Sequence, residues 1–232
     1  MNNNISENIE KIINEGAKTL NLNTNDIKNK LIAVSKTKSN EDIMVAYNYG
    51  IRDFGENYVQ ELCDKIDGLP KDIRWHMIGH LQTNKVKYIV GKVFLIHSVD
   101  SFKLAKEISK ESAKKGITSD ILIEINVAGE DSKFGTSDMK ANLEMIKEIS
   151  LLENINIKGL MTIAPYTENP ENNRTYFNKL HSFALNEAKN YLGNNPILSM
   201  GMSGDYLIAL EEGATYIRVG SKIFGERIYA NK

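Results

Sequence analysis

The run Ile121-Leu122-Ile123-Glu124-Ile125-Asn126-Val127 is nearly continuous in apolar residues, interrupted only by Glu124 and Asn126. A strand with one wet face alternates, whereas a strand covered on both faces does not. This run therefore reads as a parallel strand buried on both sides. Outward from it, short β-branched runs recur at 31–35, 52–54, 74–78, 93–97, 119–125, 157–163, 197–200 and 215–219. Helix-period stretches follow all but the last, near 40–49, 56–66, 83–90, 101–115, 137–150, 170–191 and 204–212. Gly50, Gly91, Gly116, Gly193 and Gly213 fall just after helical stretches, where a left-handed C-terminal cap favours glycine. Asp100 or Ser101, and Ser137, stand at N-cap positions. Strict alternation implies parallel pairing with right-handed crossovers. Eight such units close a TIM-type (β/α)8 barrel, an α/β fold; an open doubly wound sheet is the alternative, and the strand count favours the barrel. Residues 4–20 read as an extra N-terminal helix, with Ile5, Ile9, Ile12 and Ile13 forming a packing stripe.

The chain has 232 residues, 41% hydrophobic and 25% charged, which suits one barrel domain over residues 1–232. Its net charge of −1 lacks the basic excess of a nucleic-acid binder. A small anion, by contrast, needs only local donors. Cys63 is the only cysteine, so no intrachain disulfide forms; within a helical pattern it reads as a core thiol. No signal segment is seen, and no apolar stretch approaches the ~18 residues of a membrane span. A cytoplasmic protein with no membrane partner is expected, and a monomer is the default.

In barrels of this type functional groups gather at the C-terminal ends of the strands. Lys36 follows the first expected strand, Asn57 the second, His80 the third, Lys133 the fifth and Ser203 the seventh, and Arg218 ends the eighth. A lysine partly desolvated at a barrel mouth exposes a nucleophilic amine. Ser203 and Gly204 open the stretch read as the helix after strand seven. They suit an N-cap, with Asp205 in the first turn, or an anion site built on free amides. Gly220 and Ser221 add small residues after strand eight, and barrel phosphate sites often lie after strands seven and eight. An amine able to form an imine, together with an anion cradle, is what a pyridoxal phosphate site requires. Asn57 otherwise reads as a turn or N-cap residue, and Arg218 as a rim ion-pair residue. His76 and His80 lack the acidic or cysteine neighbours that would complete a metal site. Met161, Met200 and Met202 read as barrel packing. Lys133-Phe134-Gly135 reads as a loop over the mouth.

Five motifs also carry a resemblance. They are Ala33-Val34-Ser35-Lys36-Thr37; Phe54-Gly55-Glu56-Asn57-Tyr58-Val59-Gln60-Glu61; Trp75-His76-Met77-Ile78-Gly79-His80-Leu81-Gln82 with Asn84-Lys85; Ser199-Met200-Gly201-Met202-Ser203; and Arg218-Val219-Gly220-Ser221. In this order, from about Leu31 to Gly225, the chain resembles the pyridoxal phosphate homeostasis protein family, whose single-domain barrel is related to the N-terminal domain of alanine racemase. The resemblance implies that Lys36 forms an imine with pyridoxal 5'-phosphate and that Ser203, Gly204, Gly220 and Ser221 hold its phosphate. The family more often has threonine at position 221, and serine keeps the hydroxyl. It further implies that Asn57 lies beside the cofactor ring and that Arg218 faces the pyridine nitrogen. A permanently charged guanidinium there disfavours nitrogen protonation and weakens the ring as an electron sink. The implied role is cofactor homeostasis, in which apo-enzymes are the partners that receive the cofactor.

A pyridoxal phosphate-dependent racemase of the alanine racemase class is the main rival. It needs proton transfer on both faces of an α-carbon. Lys36 serves one face, no tyrosine is assignable to the other, and His80 is the conceivable substitute. The β-rich second domain that supplies the base in the related racemase is not expected here. A sugar-phosphate barrel enzyme would need rim carboxylates, for which Glu56 and Glu124 are the candidates. No catalytic residue is assigned.

Overall fold

The structure, a computed structural model, describes residues 4–130 and 135–225. Eight strands carry the fold: β1 Leu31–Val34, β2 Asp53–Glu56, β3 Arg74–Met77, β4 Leu95–Val99, β5 Ser119–Glu124, β6 Ile155–Met161, β7 Ile197–Ser199 and β8 Ile217–Val219. They pair in parallel in the order β7-β6-β5-β4-β3-β2-β1-β8. The remaining seam is a parallel bridge between Ser199 and Tyr216, flanked by Tyr216 N–H to Leu198 O and Met200 N–H to Tyr216 O, each 3.1 Å. The sheet thus closes into the expected barrel. β1 and β5 are continuously apolar where they are covered on both faces, Ile121, Leu122 and Ile123 being fully buried.

The helices are α1 Ile5–Leu20, α2 Thr24–Lys28, α3 Asn40–Tyr49, α4 Val59–Gly68, α5 Val86–Ile89, α6 Phe102–Lys115, α7 Met139–Ser150, α8 Arg174–Leu185, α9 Lys189–Leu192, α10 Tyr206–Glu211 and α11 Ser221–Phe224. Their apolar stripes and the outer face of the sheet form the large core. A second, small cluster of Leu95, Leu122 and Met161 lies apart from it, with Ile163, Ile197 and Tyr216 against it. The N-terminal helix is present as expected. α1 buries Ile5, Ile9, Ile12 and Ile13 and packs on α3, α10 and α11, beside the β8–β1 pairing. Asn8 Nδ2 donates to Ile223 O at 3.0 Å and secures it there.

Several local expectations shift. The fourth strand runs over Leu95–Val99 rather than 93–97, leaving Phe94 47% exposed. The helix read near 83–90 is a 3-10 turn, Thr83–Lys85, followed by the single turn α5. The stretch 170–191 breaks into a 3-10 turn at Pro170–Asn173, then α8 and α9. The short α2, capped by the Asn23 side chain accepting from Asp26 N–H at 2.9 Å, has no counterpart in the sequence reading. Ser101 is the N-cap of α6 as expected, but α7 is capped by Asp138 rather than Ser137. Cys63 is only partly buried, with Sγ 3.7 Å from Tyr88 O, and packs against the edge of the core rather than within it. No helix among the described residues is long and apolar enough to cross a membrane.

Candidate functional site

A cavity of about 430 Å³ opens at the C-terminal ends of the strands. Lys36, Asn57, Ser203, Gly204, Arg218, Gly220 and Ser221 all line it. The sequence-expected site residues, drawn from four separate βα connections, therefore converge on one mouth. Lys133 lies outside the described residues. At the opposite end a more open groove of about 660 Å³ runs beside Ile155–Lys158 and Asn195. Its charged lining residue, Lys158, pairs with Asp120 at 3.6 Å on the surface, so that groove offers no comparable donor set.

Ser203 does not cap its own helix. The N-cap of α10 is Asp205, and Ser203 and Gly204 lie in the turn before it. The Ser203 hydroxyl instead accepts from Gly220 N–H at 3.3 Å and Lys222 N–H at 3.4 Å. It thus sits over the amides that open α11, where an anionic oxygen would be accepted in the same way. Asp205 shapes the turn: Oδ1 accepts from Met202 N–H at 2.7 Å and Oδ2 from Asn173 Nδ2 at 2.7 Å. A Cβ at Gly204 would meet no atom within 4 Å, whereas one at Gly220 would stand 3.2 Å from Val34 O. Lys38, not singled out in the sequence, lines the cavity and donates to Phe224 O at 2.9 Å, tying down the far end of α11. Met202 is 37% exposed at the mouth, unlike the buried Met161 and Met200.

Asn57 enters the cavity just ahead of α4, whose N-cap is Tyr58. Its Oδ1 is buried with no hydrogen-bond partner among the described residues. Gly79 permits this placement, because a Cβ there would lie 2.3 Å from Asn57 O. His80 is on the rim, 3.4 Å from Asp100. His76 points the other way, into the barrel, so the two histidines do not share a site.

Arg218 is 4% exposed. Its guanidinium donates to Ser199 Oγ at 2.6 Å and Thr162 O at 2.7 Å. Burial lowers its pKa to about 10, against the opposing pull of Glu124 and Asp205. Ser199 continues into a chain that the sequence reading missed. His97 Nδ1 is 2.8 Å from Ser199 Oγ, His97 Nε2 is 2.9 Å from His76 Nδ1, and His76 Nε2 is 2.9 Å from Asp53 Oδ1. Asp53 is also forked by Arg74. Burial holds both histidines below their usual pKa, His97 well below. Burial also opposes ionisation of Asp53, but hydrogen bonds from His76 and Arg74 outweigh it and keep its pKa below the usual value. With neutral imidazoles and an ionised Asp53, only one proton order satisfies every link. Arg218 donates to Ser199, Ser199 to His97 Nδ1, His97 Nε2–H to His76, and His76 Nε2–H to Asp53. The chain thereby fixes the plane in which Arg218 faces the cavity.

The donor set is an amine, a guanidinium, two serine hydroxyls and backbone amides around an open space. It fits a ligand with an aldehyde, a heteroaromatic nitrogen and a phosphate.

Residues 10–228 match the family model of the alanine racemase N-terminal domain. The chain is 50% identical over 202 residues to the pyridoxal phosphate homeostasis protein of Aquifex aeolicus, covering 86% of this chain and 88% of that one. It is 39% identical to the human protein of the same name, covering 89% and 79%. Among solved structures it is similar to PipY of Synechococcus elongatus with PLP bound, at TM-score 0.79 and 34% identity, covering 92% of this chain and all of that one. A Clostridium difficile alanine racemase, 14% identical at TM-score 0.75, shares the fold over 97% of this chain and 61% of its own. With the motifs, barrel and mouth in agreement, the chain belongs to the pyridoxal phosphate homeostasis protein family, built on the alanine racemase N-terminal domain.

Proposed function

We propose that this chain binds pyridoxal 5'-phosphate at the barrel mouth and serves intracellular cofactor homeostasis, holding the aldehyde through Lys36 and releasing it to apo-enzymes. The carrying observation is the convergence of Lys36, Arg218, Ser203, Ser221 and the Gly220 amide on one cavity. The PLP-bound PipY supports the ligand. When bound, the cofactor supplies an aldehyde that condenses with an amine, releasing water. The chain's own residues do the rest. The Gly220 and Lys222 amides and the two serine hydroxyls take the phosphate, Asn57 borders the ring, and Arg218 presents a permanent cation to the ring nitrogen.

Racemase chemistry is less well served by the same mouth. Racemisation needs a second proton-transfer group opposite Lys36. Among the other titratable groups bordering the cavity, Asp205 is engaged by Met202 and Asn173, and Lys38 by Phe224. Tyr166 is 95% exposed to water. Incubating the loaded protein with L-alanine in deuterated water, with Lys36→Ala as control, separates the two readings. The account predicts no fast α-deuterium incorporation, and transfer to an apo-enzyme faster than spontaneous release. Exchange near the enzyme median of about 10 per second would contradict it.

A further inference from the structure

The residue after Lys36 is strained. Thr37 has φ +64°, a left-handed conformation unusual for any side chain and rarer for a β-branched one. Such a residue persists only where its surroundings hold it. Here the holder is on α4. Glu61 Oε1 accepts the Thr37 N–H at 2.5 Å. The same oxygen accepts from Lys65 Nζ at 2.6 Å. Lys65, 6% exposed, spends its other two donors on Ser35 O at 2.7 Å and Glu56 Oε1 at 2.8 Å. Glu56 Oε1 also accepts from Ser35 Oγ at 2.6 Å.

Both chain neighbours of Lys36 are therefore bound to one carboxylate–ammonium cluster, Ser35 through its carbonyl and hydroxyl and Thr37 through its amide. Apolar packing of the same volume often stabilises a fold as well as a buried ion cluster does. What apolar packing lacks is a directed acceptor for one particular amide. A lysine has a long, flexible stem. Fixing the backbone on both sides of it narrows the volume its amine explores and favours attack geometry.

We propose that Glu61, anchored by Lys65, is a positioning residue for Lys36: it holds Thr37 in the left-handed turn that aims the Lys36 amine at the bound aldehyde. The inference rests on the Lys36 reading above. The bond concerned forms when Lys36 Nζ attacks the aldehyde carbon, a C=N bond replaces C=O, and the oxygen leaves as water.

Pyridoxine 5'-phosphate separates positioning from binding, because it has the same ring and phosphate but an alcohol in place of the aldehyde. Folding of each variant is checked by circular dichroism. Glu61→Ala is expected to slow imine formation with pyridoxal 5'-phosphate about tenfold, the scale of a strained non-glycine residue left unsupported. Its affinity for pyridoxine 5'-phosphate should stay at the parent value. Adding Thr37→Gly to Glu61→Ala should restore most of the rate, since glycine adopts positive φ without steric cost. An unchanged rate in Glu61→Ala, equal weakening of both ligands, or no recovery with Thr37→Gly would each overturn the inference. Borohydride trapping in the parent protein tests the underlying reading separately. An adduct off Lys36 there would sink that reading, and this inference with it, before any variant is compared.

Discussion

Asp53 and Arg218 are the two ends of a single hydrogen-bonded chain threaded through His76, His97 and Ser199 inside the barrel. One end is forked by Arg74, which is exposed to solvent, and the other lines the mouth. The proton order derived above requires both histidines to be neutral and protonated at Nε2. Nitrogen-15 NMR should show those tautomers at neutral pH. An imidazolium signal from either ring would refute the assignment.

The same burial makes acid costly to the fold. Both histidines have folded pKa values below the ordinary 6.5, so below that pH the unfolded chain binds more protons. Stability should therefore fall as pH drops from about 6.5, by at most about 1.4 kcal/mol per pH unit for each histidine. Glu56, raised by burial, acts in the opposite sense above its ordinary 4.5. Comparison with His97→Gln isolates the contribution of His97. Denaturant unfolding between pH 7 and 5 should show a shallower pH slope in the variant.

Much of the barrel was legible because covered parallel strands and amphipathic helices leave different periods in the sequence. The rim residues followed from that, since a strand's end fixes where Lys36, Asn57 and Arg218 stand. The chain inside the barrel was not legible. His97 meets partners 21 and 102 positions away, and a single histidine in an apolar strand gives no sign of either. The available signal was a polar residue inside each of several otherwise apolar strands, namely Asp53, His76, His97 and Ser199. Of the two readings of Ser203, the N-cap failed for a related reason. Its position before a helix suggested a cap, while its hydroxyl actually reaches across to the next βα connection.

Removing both hydroxyls from the proposed anion cradle, with Ser203→Ala and Ser221→Ala together, leaves the backbone amides in place. Hydrogen bonds to charged groups contribute roughly 1.5–3 kcal/mol each. The double variant should lose one to several tenfold steps in affinity for pyridoxal 5'-phosphate and none for pyridoxal. Equal losses for both ligands in equilibrium titration would remove these serines from the phosphate site.

Gly79→Ala places a methyl group against the Asn57 backbone, where the ideal Cβ would lie 2.3 Å from its oxygen. The turn must shift, displacing Asn57 from the cavity wall. Overpacking of this kind costs about 1–3 kcal/mol. Thermal unfolding should show the loss, and pyridoxine 5'-phosphate should bind more weakly. Parent-like stability together with parent-like binding would show that the contact yields without consequence.

The central claim is the covalent hold on the cofactor, and its most direct test is mass mapping after borohydride reduction of the protein loaded with pyridoxal 5'-phosphate. The account predicts a visible absorption band before reduction and a reduced adduct on Lys36. It also predicts that Lys36→Ala lacks the band while keeping weaker, phosphate-dependent binding. An adduct on Lys38 or any other lysine, or a band that survives in Lys36→Ala, would contradict it.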